Sequence, residues 1–419
     1  MLCKKGLGIN MITDYNTIII GAGAAGLLAG CVTQGRTLIL EKNNSPGKKL
    51  LISGAGQCNY THYGDIEDFT DKYGENGRFL RHELFNFTNA DAVEFFRRLS
   101  VESIIREDGK IFPKSLKASD IVNALVKKCK LNNTEIRYNS PVDIVGYSSE
   151  TKHFTVKTFK ERLTSKNIIL SAGGCSYPNT GSGGDGFKLA AKLGHKITEI
   201  SPCLTPAIIK NYSFADLSGL SFCNIKIALI RDNKKIKEAV GDVLLTHKSL
   251  SGPGILNLSR YICENDSLRL NFINLSREEL TALIDKNTKE NGKMRVRSIF
   301  RDINISKRFV EKIFSVCGVH QDIICSQLSK KDKTRLITAF CEHILTVESL
   351  GGYHLAMATR GGVTLNEINR KTMQSKIIQG LYFAGEVMNI DADTGGYNIQ
   401  AAFSTAYAAA SDINKNINN

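Results

Sequence analysis

The feature that most constrains this chain is Gly21-Ala22-Gly23-Ala24-Ala25-Gly26, set between the apolar run Thr17-Ile18-Ile19-Ile20 and a segment with Leu27, Leu28, Ala29 and Val32 at helical spacing. The order is strand, glycine turn, helix, with Gly30 extending the small-residue stripe and Gly35 as a stop. In such a turn the first glycine makes the bend, the second admits a pyrophosphate to the backbone, and the third lets helix and strand pack closely. The phosphates then sit at the positive end of the helix. A second buried run, Thr37-Leu38-Ile39-Leu40, ends at Glu41, twenty residues after Gly21. That is where a ribose hydroxyl needs an acceptor. Together these elements predict a βαβ dinucleotide-binding unit.

A length of 419 residues exceeds what one core usually covers, so two or three domains are expected. Asn89 to Leu99 and Ala118 to Cys129 have helical periodicity, with Asn or Ser near their starts. Three β-rich runs, Ile136 to Val145, Phe154 to Phe159 and Asn167 to Leu170, predict a small antiparallel meander leading into Ser171-Ala172-Gly173-Gly174. After Pro202 short alternating runs take over, and from Glu278 to Glu348 the pattern is mostly helical. The tail returns to a strand, Gly380 to Ala384, then Gly385-Glu386, a turn at Gly395-Gly396 and a helix through Ala410. The expected organisation is an α/β, Rossmann-like domain in two pieces, 11–200 and 350–419. Into it are inserted a β-rich, barrel-like domain, 201–277 and 336–349, and a helical subdomain, 278–335. Gly181, Gly183 and Gly186 repeat the glycine pattern, but no strand directly precedes them and no strand-end acid follows.

Several function classes fall away. Eleven cysteines with no C-x-x-C pair argue against a disulfide framework and a zinc ribbon and point to a reducing cytoplasm. No H-E-x-x-H or clustered carboxylates suggest a metal site. Ile18 to Val32, ending Leu28-Ala29-Gly30-Cys31, mimics a lipoprotein signal, but it is short and glycine-rich, and cleavage there would destroy the fingerprint. No membrane association is expected. The first ten residues read as an untethered extension, with Met11 a candidate start.

The net charge of +14 favours an acidic partner such as nucleic acid, against a plain basic surface. From Lys286 to Arg335, thirteen Lys and Arg face five acids, which places eight of the fourteen excess charges in the helical insert. Phosphate contacts from this stretch would suit RNA, ribosomal RNA included; the alternative is a solvated helical face.

One dinucleotide domain leaves NAD or FAD open. A tail with Ala384-Gly385-Glu386 and Gly395-Gly396-Tyr397-Asn398 before a helix favours FAD, because that helix start can face the flavin N1 and O2 atoms, where negative charge gathers on reduction. On further residues the chain resembles the BaiN-like, YhiN-like flavoproteins, often labelled the aminoacetone oxidase family, across roughly 13–411. These residues are Lys48-Lys49-Leu50-Leu51-Ile52-Ser53-Gly54-Ala55-Gly56-Gln57-Cys58-Asn59, Ala172-Gly173-Gly174 with Tyr177-Pro178 and Thr180-Gly181-Ser182, and Gly184-Asp185-Gly186. Thr246-His247 with Ser251-Gly252-Pro253, Gly361-Gly362-Val363, and Thr372-Met373 with Ser375-Lys376 add to it. The chain departs from the family in its G-x-G-R-C-N loop, where Ala55 and Gln57 replace a glycine and the arginine.

The resemblance implies FAD bound against Gly21 to Gly26, Glu41, Lys42, Lys49, Ser53, Gly54, Gly56, Cys58, Asn59, Val142, Ala172, Gly173, Gly174, Gly385, Glu386, Gly396, Tyr397 and Asn398. NAD(P)H is the expected transient donor. Cys58 is a candidate general acid, because reducing a conjugated C=C needs hydride at one carbon and a proton at the other; a small buried thiol is the alternative. Tyr397 and Asn398 are candidates to hydrogen-bond flavin or substrate, although Asn at a helix start is as readily a cap. His247 and His354 lie near family motifs and receive no role. Four functions follow: reduction of uridine in ribosomal RNA to dihydrouridine, which is favoured; reduction of a small enone such as a bile-acid dienone; aminoacetone-type amine oxidation; and RNA binding without turnover.

Overall fold

The computed structural model describes residues 13–418; the ten-residue extension and Met11 lie outside them. The chain forms two compact units, one from the residues up to Ser201 with those from Met357 on, the other from Pro202 to Ala356. The return to the first unit thus falls seven residues beyond the expected 350.

The first unit is built on a seven-stranded sheet. In chain order its strands are β1 (Tyr15–Ile20), β2 (Thr37–Leu40), β3 (Glu135–Arg137), β4 (Val142–Ser148), β5 (His153–Thr158), β6 (Arg162–Leu170) and β7 (Leu381–Phe383). Their spatial order is β3-β2-β1-β6-β5-β4, with β7 also on β6. β6 changes neighbour along its length. Residues 162–165 pair antiparallel with β5, whereas Ile168, Ile169 and Leu170 pair in parallel with Leu381, Tyr382 and Phe383. The inner strands are covered on both faces, which explains why β2 is unbroken apolar sequence rather than alternating.

The expected meander is present but shifted. Ile136 to Val145 is two strands: β3 pairs in parallel with β2, and β4 pairs antiparallel with β5. Asn139, at φ 51, and Pro141, which lacks an N–H, break the run between them. At the other end β6 reaches back to Arg162.

Seven helices of this unit matter here: α1 (Ala24–Val32), α2 (Lys48–Ile52), α3 (Gly77–Asn86), α4 (Asn89–Arg98), α5 (Ala118–Leu131), α6 (Asp185–Lys192) and α7 (Tyr397–Asn418). A Cβ on Gly30 would lie 2.6 Å from the Ile39 side chain, so this glycine sets how closely α1 meets β2. α4 is capped by Thr88 in a capping box with Asp91; Asn89 instead donates to the carbonyls of His62 and Gly64. α7 runs eight residues past the expected Ala410. The glycines 181, 183 and 186 lie on the connection from β6 into α6, inside the same unit.

The second unit holds a closed six-stranded barrel, in the order 207–209, 249–251, 234–245, 221–231, 267–271 and 343–350. Helices Arg277–Glu290, Lys307–Val316 and Lys330–Cys341 complete it. Phe309 of the second helix meets Phe222 and Phe272 of the barrel at ring-centroid distances of 4.7 Å. The fold is thus a discontinuous Rossmann-like domain with an inserted barrel and helical part. No helix among the described residues is long and apolar enough to cross a membrane.

One buried carboxyl stands out in α3. Gly77, Leu80, Glu83 and Leu84 form its buried face. Glu83 Oε1 is 2.8 Å from His82 Nδ1, while Oε2 has no hydrogen-bond partner among the described residues. Burial pushes this carboxyl up to about 7 from 4.5, against the opposing pull of His82. A raised folded-state value means the folded chain holds its proton longer than the unfolded one, so stability is full below about 4.5 and falls as pH rises toward 7. Glu83→Gln is expected to match wild type in urea denaturation near pH 4.5. Near pH 8 it is expected to be more stable, by up to about 3 kcal/mol.

Candidate active site

The parallel strands deliver their C-terminal loops to one edge of the sheet. There the fingerprint glycines differ in what surrounds them. A Cβ on Gly21, at φ +101, would lie 2.7 Å from the Ser171 carbonyl oxygen, and one on Gly26 would lie 1.8 Å from the Gly21 carbonyl oxygen. Nothing lies within 4 Å of a Cβ on Gly23. The first and third glycines are therefore packing requirements, whereas the second faces open space at the N-cap of α1, where a phosphate would sit.

Glu41, at the end of β2, is 6 % exposed. Its Oε2 accepts from the Ala22 N–H at 2.7 Å, and its Oε1 accepts from the Asn43 N–H at 2.8 Å and from Asn43 Nδ2 at 2.7 Å. A carboxylate offers about four acceptor positions, so a rigidly held acceptor remains for one more donor. Asn43 also donates to the Thr180 carbonyl, and Lys42 pairs with Asp185 at 2.6 Å. The second glycine motif therefore frames Glu41 rather than forming a second nucleotide domain. The chain at 139–140 lies alongside, with the Asn139 and Ser140 N–H groups on the Asn43 and Glu41 carbonyls. Val142 follows as the first residue of β4.

A polar cluster marks the other side of the same edge. Lys49 of α2 pairs with Glu386 at 2.6 Å and donates to Ser176. Glu386 Oε1 accepts from Ser176 Oγ at 2.8 Å and from the Thr359 N–H at 2.7 Å. Burial alone would raise the Glu386 carboxyl; the Lys49 ammonium, with these donors, holds it below the usual carboxylate value. A Cβ on Gly174 would lie 2.4 Å from Thr359 Oγ1, and Gly385 lies against Ala25. Gly173, Gly174, Gly385, Lys49 and Glu386 are thus brought together with the start of α1. Ser176 and Thr359 were missed in the sequence because no local pattern links 176, 359 and 386.

Ser53, Gly54 and Gly56 shape the turn between α2 and Asn59. Asn59 is 9 % exposed, and its Oδ1 has no donor among the described residues, an acceptor suited to a ligand N–H. In place of the family's arginine, Gln57 accepts from Arg106, whose guanidinium lies 4.1 Å from the Phe112 ring centre. Ala55 occupies a left-handed conformation at φ 56, which favours glycine.

The three candidates for catalysis fare differently from that shell. Cys58 is fully buried, and burial pushes its thiol up to about 12, so it packs as a neutral core side chain and is a poor proton donor. Asn398 uses both side-chain atoms on one peptide, Oδ1 accepting from the Ala392 N–H and Nδ2 donating to the Ala392 carbonyl, each at 3.0 Å. Tyr397 stacks on His62 and is 6 % exposed. These two hold the turn before α7. His247 and His354 are exposed loop residues of the second unit.

An open phosphate cradle, a fixed acid at the second strand and glycine-lined loops from the remaining strands fit FAD, and the protein is an FAD-dependent oxidoreductase. It belongs to the HI0933-like family, whose Rossmann-domain model matches residues 15–412. The chain is 28 % identical over 404 residues to the ribosomal RNA dihydrouridine synthase of Escherichia coli (strain K12), covering 95 % of this chain and 98 % of that one. It is 27 % identical over 407 residues to the 3-dehydro-bile acid delta(4,6)-reductase of Clostridium scindens, covering 93 % and 97 %. Among solved structures, a flavocytochrome c3 fumarate reductase shares the fold at TM-score 0.50 and 16 % identity, covering 96 % of this chain and 78 % of that one.

Two sets of variants test this geometry. Gly23→Ala is expected to keep the wild-type melting temperature without flavin but to bind FAD at least about tenfold more weakly, a loss of about 1.4 kcal/mol. Gly26→Ala is expected to lose both folding and binding. Thermal scans with and without FAD separate the two. Lys49→Met is expected to cost about 3 kcal/mol by leaving the Glu386 charge unpaired, and Lys49→Met with Glu386→Gln to recover most of it, read as a coupling in denaturant titrations.

Proposed function

We propose that this enzyme reduces the C5=C6 bond of uridine in ribosomal RNA, giving dihydrouridine. The observation that carries the reading is the end-to-end similarity to a ribosomal RNA dihydrouridine synthase. The net charge of +14 supports it over the small-dienone alternative, which the similarity to the bile-acid reductase favours. A polyanionic substrate gains much more from that charge than a bile acid with its single carboxylate.

When bound and reduced, FAD supplies hydride for an activated C=C bond, and NAD(P)H is the donor proposed to restore it. The chain's own part is binding and orientation. The Gly21–Gly26 turn would take the pyrophosphate, Glu41 the adenosine ribose with Lys42 and the backbone near Val142 beside it, and Glu386, fixed by Lys49, the ribityl side. Ala172–Gly174, Gly385, Ser53–Gly56 and Asn59 would line the flavin, while Cys58, Gly396, Tyr397 and Asn398 would hold its surrounding loops in shape. In the basic stretch Lys286 to Arg335, several cations are already paired, among them Arg297 with Asp322 and Lys312 with Asp216. Lys286, Lys289, Lys293, Arg301, Lys330 and Lys331 are proposed for phosphate contacts. The ten cysteines among the described residues are free thiols, which supports a cytoplasmic location.

Deleting the gene and measuring dihydrouridine in separated ribosomal and transfer RNA by mass spectrometry tests the reading. Loss confined to ribosomal RNA, restored by wild type and not by a Gly23→Asp variant, is the expected result. Unchanged dihydrouridine would overturn it and direct attention to small enones with NAD(P)H, with hydrogen peroxide release marking an amine oxidase instead.

A further inference from the structure

A second basic feature lies in the first unit, where no sequence motif drew attention to it. Arg78, Arg81, His82 and Phe85 are exposed on α3. Their spacing of i, i+3, i+4 and i+7 places them on one stripe, opposite the face that buries Leu80 and Leu84. The turn at 369–373 brings Arg370 and Lys371 to the same place, and these six residues, with Asn86, line a cavity of about 470 Å³.

In the insert acids are interspersed among the cations and several are paired, whereas here the cations stand without carboxylates between them. Arg78, Arg81, Arg370 and Lys371 have no carboxylate partner among the described residues, and no acidic side chain lines the cavity. Glu83, beneath His82, is fully buried, and burial pushes its carboxyl up to about 7, so it is only partly ionised near neutrality. By contrast Arg97 and Arg98 on the next helix both pair with Glu94. Four unpaired cations around one concavity repel one another, so the arrangement favours an anion that bridges them.

Shape narrows the class of anion. From Arg78 to Phe85 the stripe rises about 10 Å along the helix, more than one phosphate group occupies and similar to a few nucleotides at about 3.4 Å each. Phe85 is 43 % exposed, and the Arg81 guanidinium stands 5.8 Å from its ring centre. An exposed ring beside arginines is the pairing on which unstacked bases rest while their phosphates are neutralised.

We propose that this cavity is an RNA-docking site of the FAD-binding unit, taking the phosphates of a single-stranded or looped segment on Arg78, Arg81, Arg370 and Lys371 with a base against Phe85. The choice of RNA over other polyanions rests on the substrate reading above. The site would hold a flanking stretch of the substrate strand, in addition to whatever the basic insert contacts.

The test uses the flavin-loaded enzyme and a short fluorescein-labelled single-stranded RNA, with anisotropy read across a salt series. Arg81→Gln with Arg370→Gln is expected to bind at least fivefold more weakly and to lower the salt slope by about 1.4, two contacts at about 0.7 each. Arg97→Gln with Arg98→Gln removes the same formal charge elsewhere and is expected to change neither. On the wild-type enzyme, bound RNA is expected to protect Lys371 from acetylation, a readout that needs no variant. Equal binding by all three proteins, an unprotected Lys371, or preference for phosphatidylglycerol vesicles over RNA would overturn the proposal. Failure here leaves the dihydrouridine result untouched. Unchanged cellular dihydrouridine with intact, Arg81-dependent RNA binding would sink the substrate reading and leave the docking site standing.

Discussion

The parallel register of β1 with β6 is the constraint on which the site depends. Ile18, Ile19 and Ile20 lie opposite Ile168, Ile169 and Leu170, and the pairing continues into the Ser171 N–H on the Ile20 carbonyl at 3.0 Å. Burying these six side chains contributes on the order of 1.5–3 kcal/mol each, so the register is strongly specified. Its consequence is geometric: Gly21 and Ser171 emerge side by side, and only a residue without a Cβ fits between them. Because β7 takes its register from the same end of β6, Gly385 and Glu386 arrive at that edge too. The apolar core therefore decides where the polar loops meet.

Those loops are held by charge as well as by packing. Lys49 and Glu386 are 337 residues apart in sequence, yet each is the principal electrostatic partner of the other. A partly buried pair of this kind contributes little net stability, because desolvation offsets the attraction, but it fixes geometry. Ser176 and Thr359 both donate to Oε1 and Lys49 to Oε2, so the carboxylate has a defined orientation before any ligand arrives. Asn398, clamped on Ala392, does the same for the turn before α7. Much of what surrounds the cofactor site is thus rigid support for a small number of groups facing open space.

How much of this was legible follows from the range of the interactions. The βαβ unit and Glu41 were readable because strand, turn, helix and acid lie within 27 residues and each leaves a local pattern. The barrel and its helices were readable as a change of periodicity. The split of Ile136 to Val145 into two strands was not, because apolar periodicity cannot say which neighbour a strand takes; Asn139 and Pro141 were the available signal. Ser176 and Thr359 depend on contacts across more than 180 residues, with no local pattern. Cys58 shows the opposite limit: its loop is distinctive in sequence, but only the fold decides between a proton donor and a small buried thiol, and it leaves the side chain fully buried.

The position of β7 bears on the order in which the molecule comes into being. During synthesis the whole of 202–356 emerges before the strand that completes the cofactor edge, and Glu386 and the start of α7 follow later still. A ribosome-bound chain that has just released its barrel holds the phosphate turn and the first acid but lacks one wall of the pocket. Lys49 meanwhile waits without its carboxylate. The Lys49–Glu386 pair can therefore close only after the insert has been made, and the insert has the time of its own translation, plus that of the tail, in which to fold first.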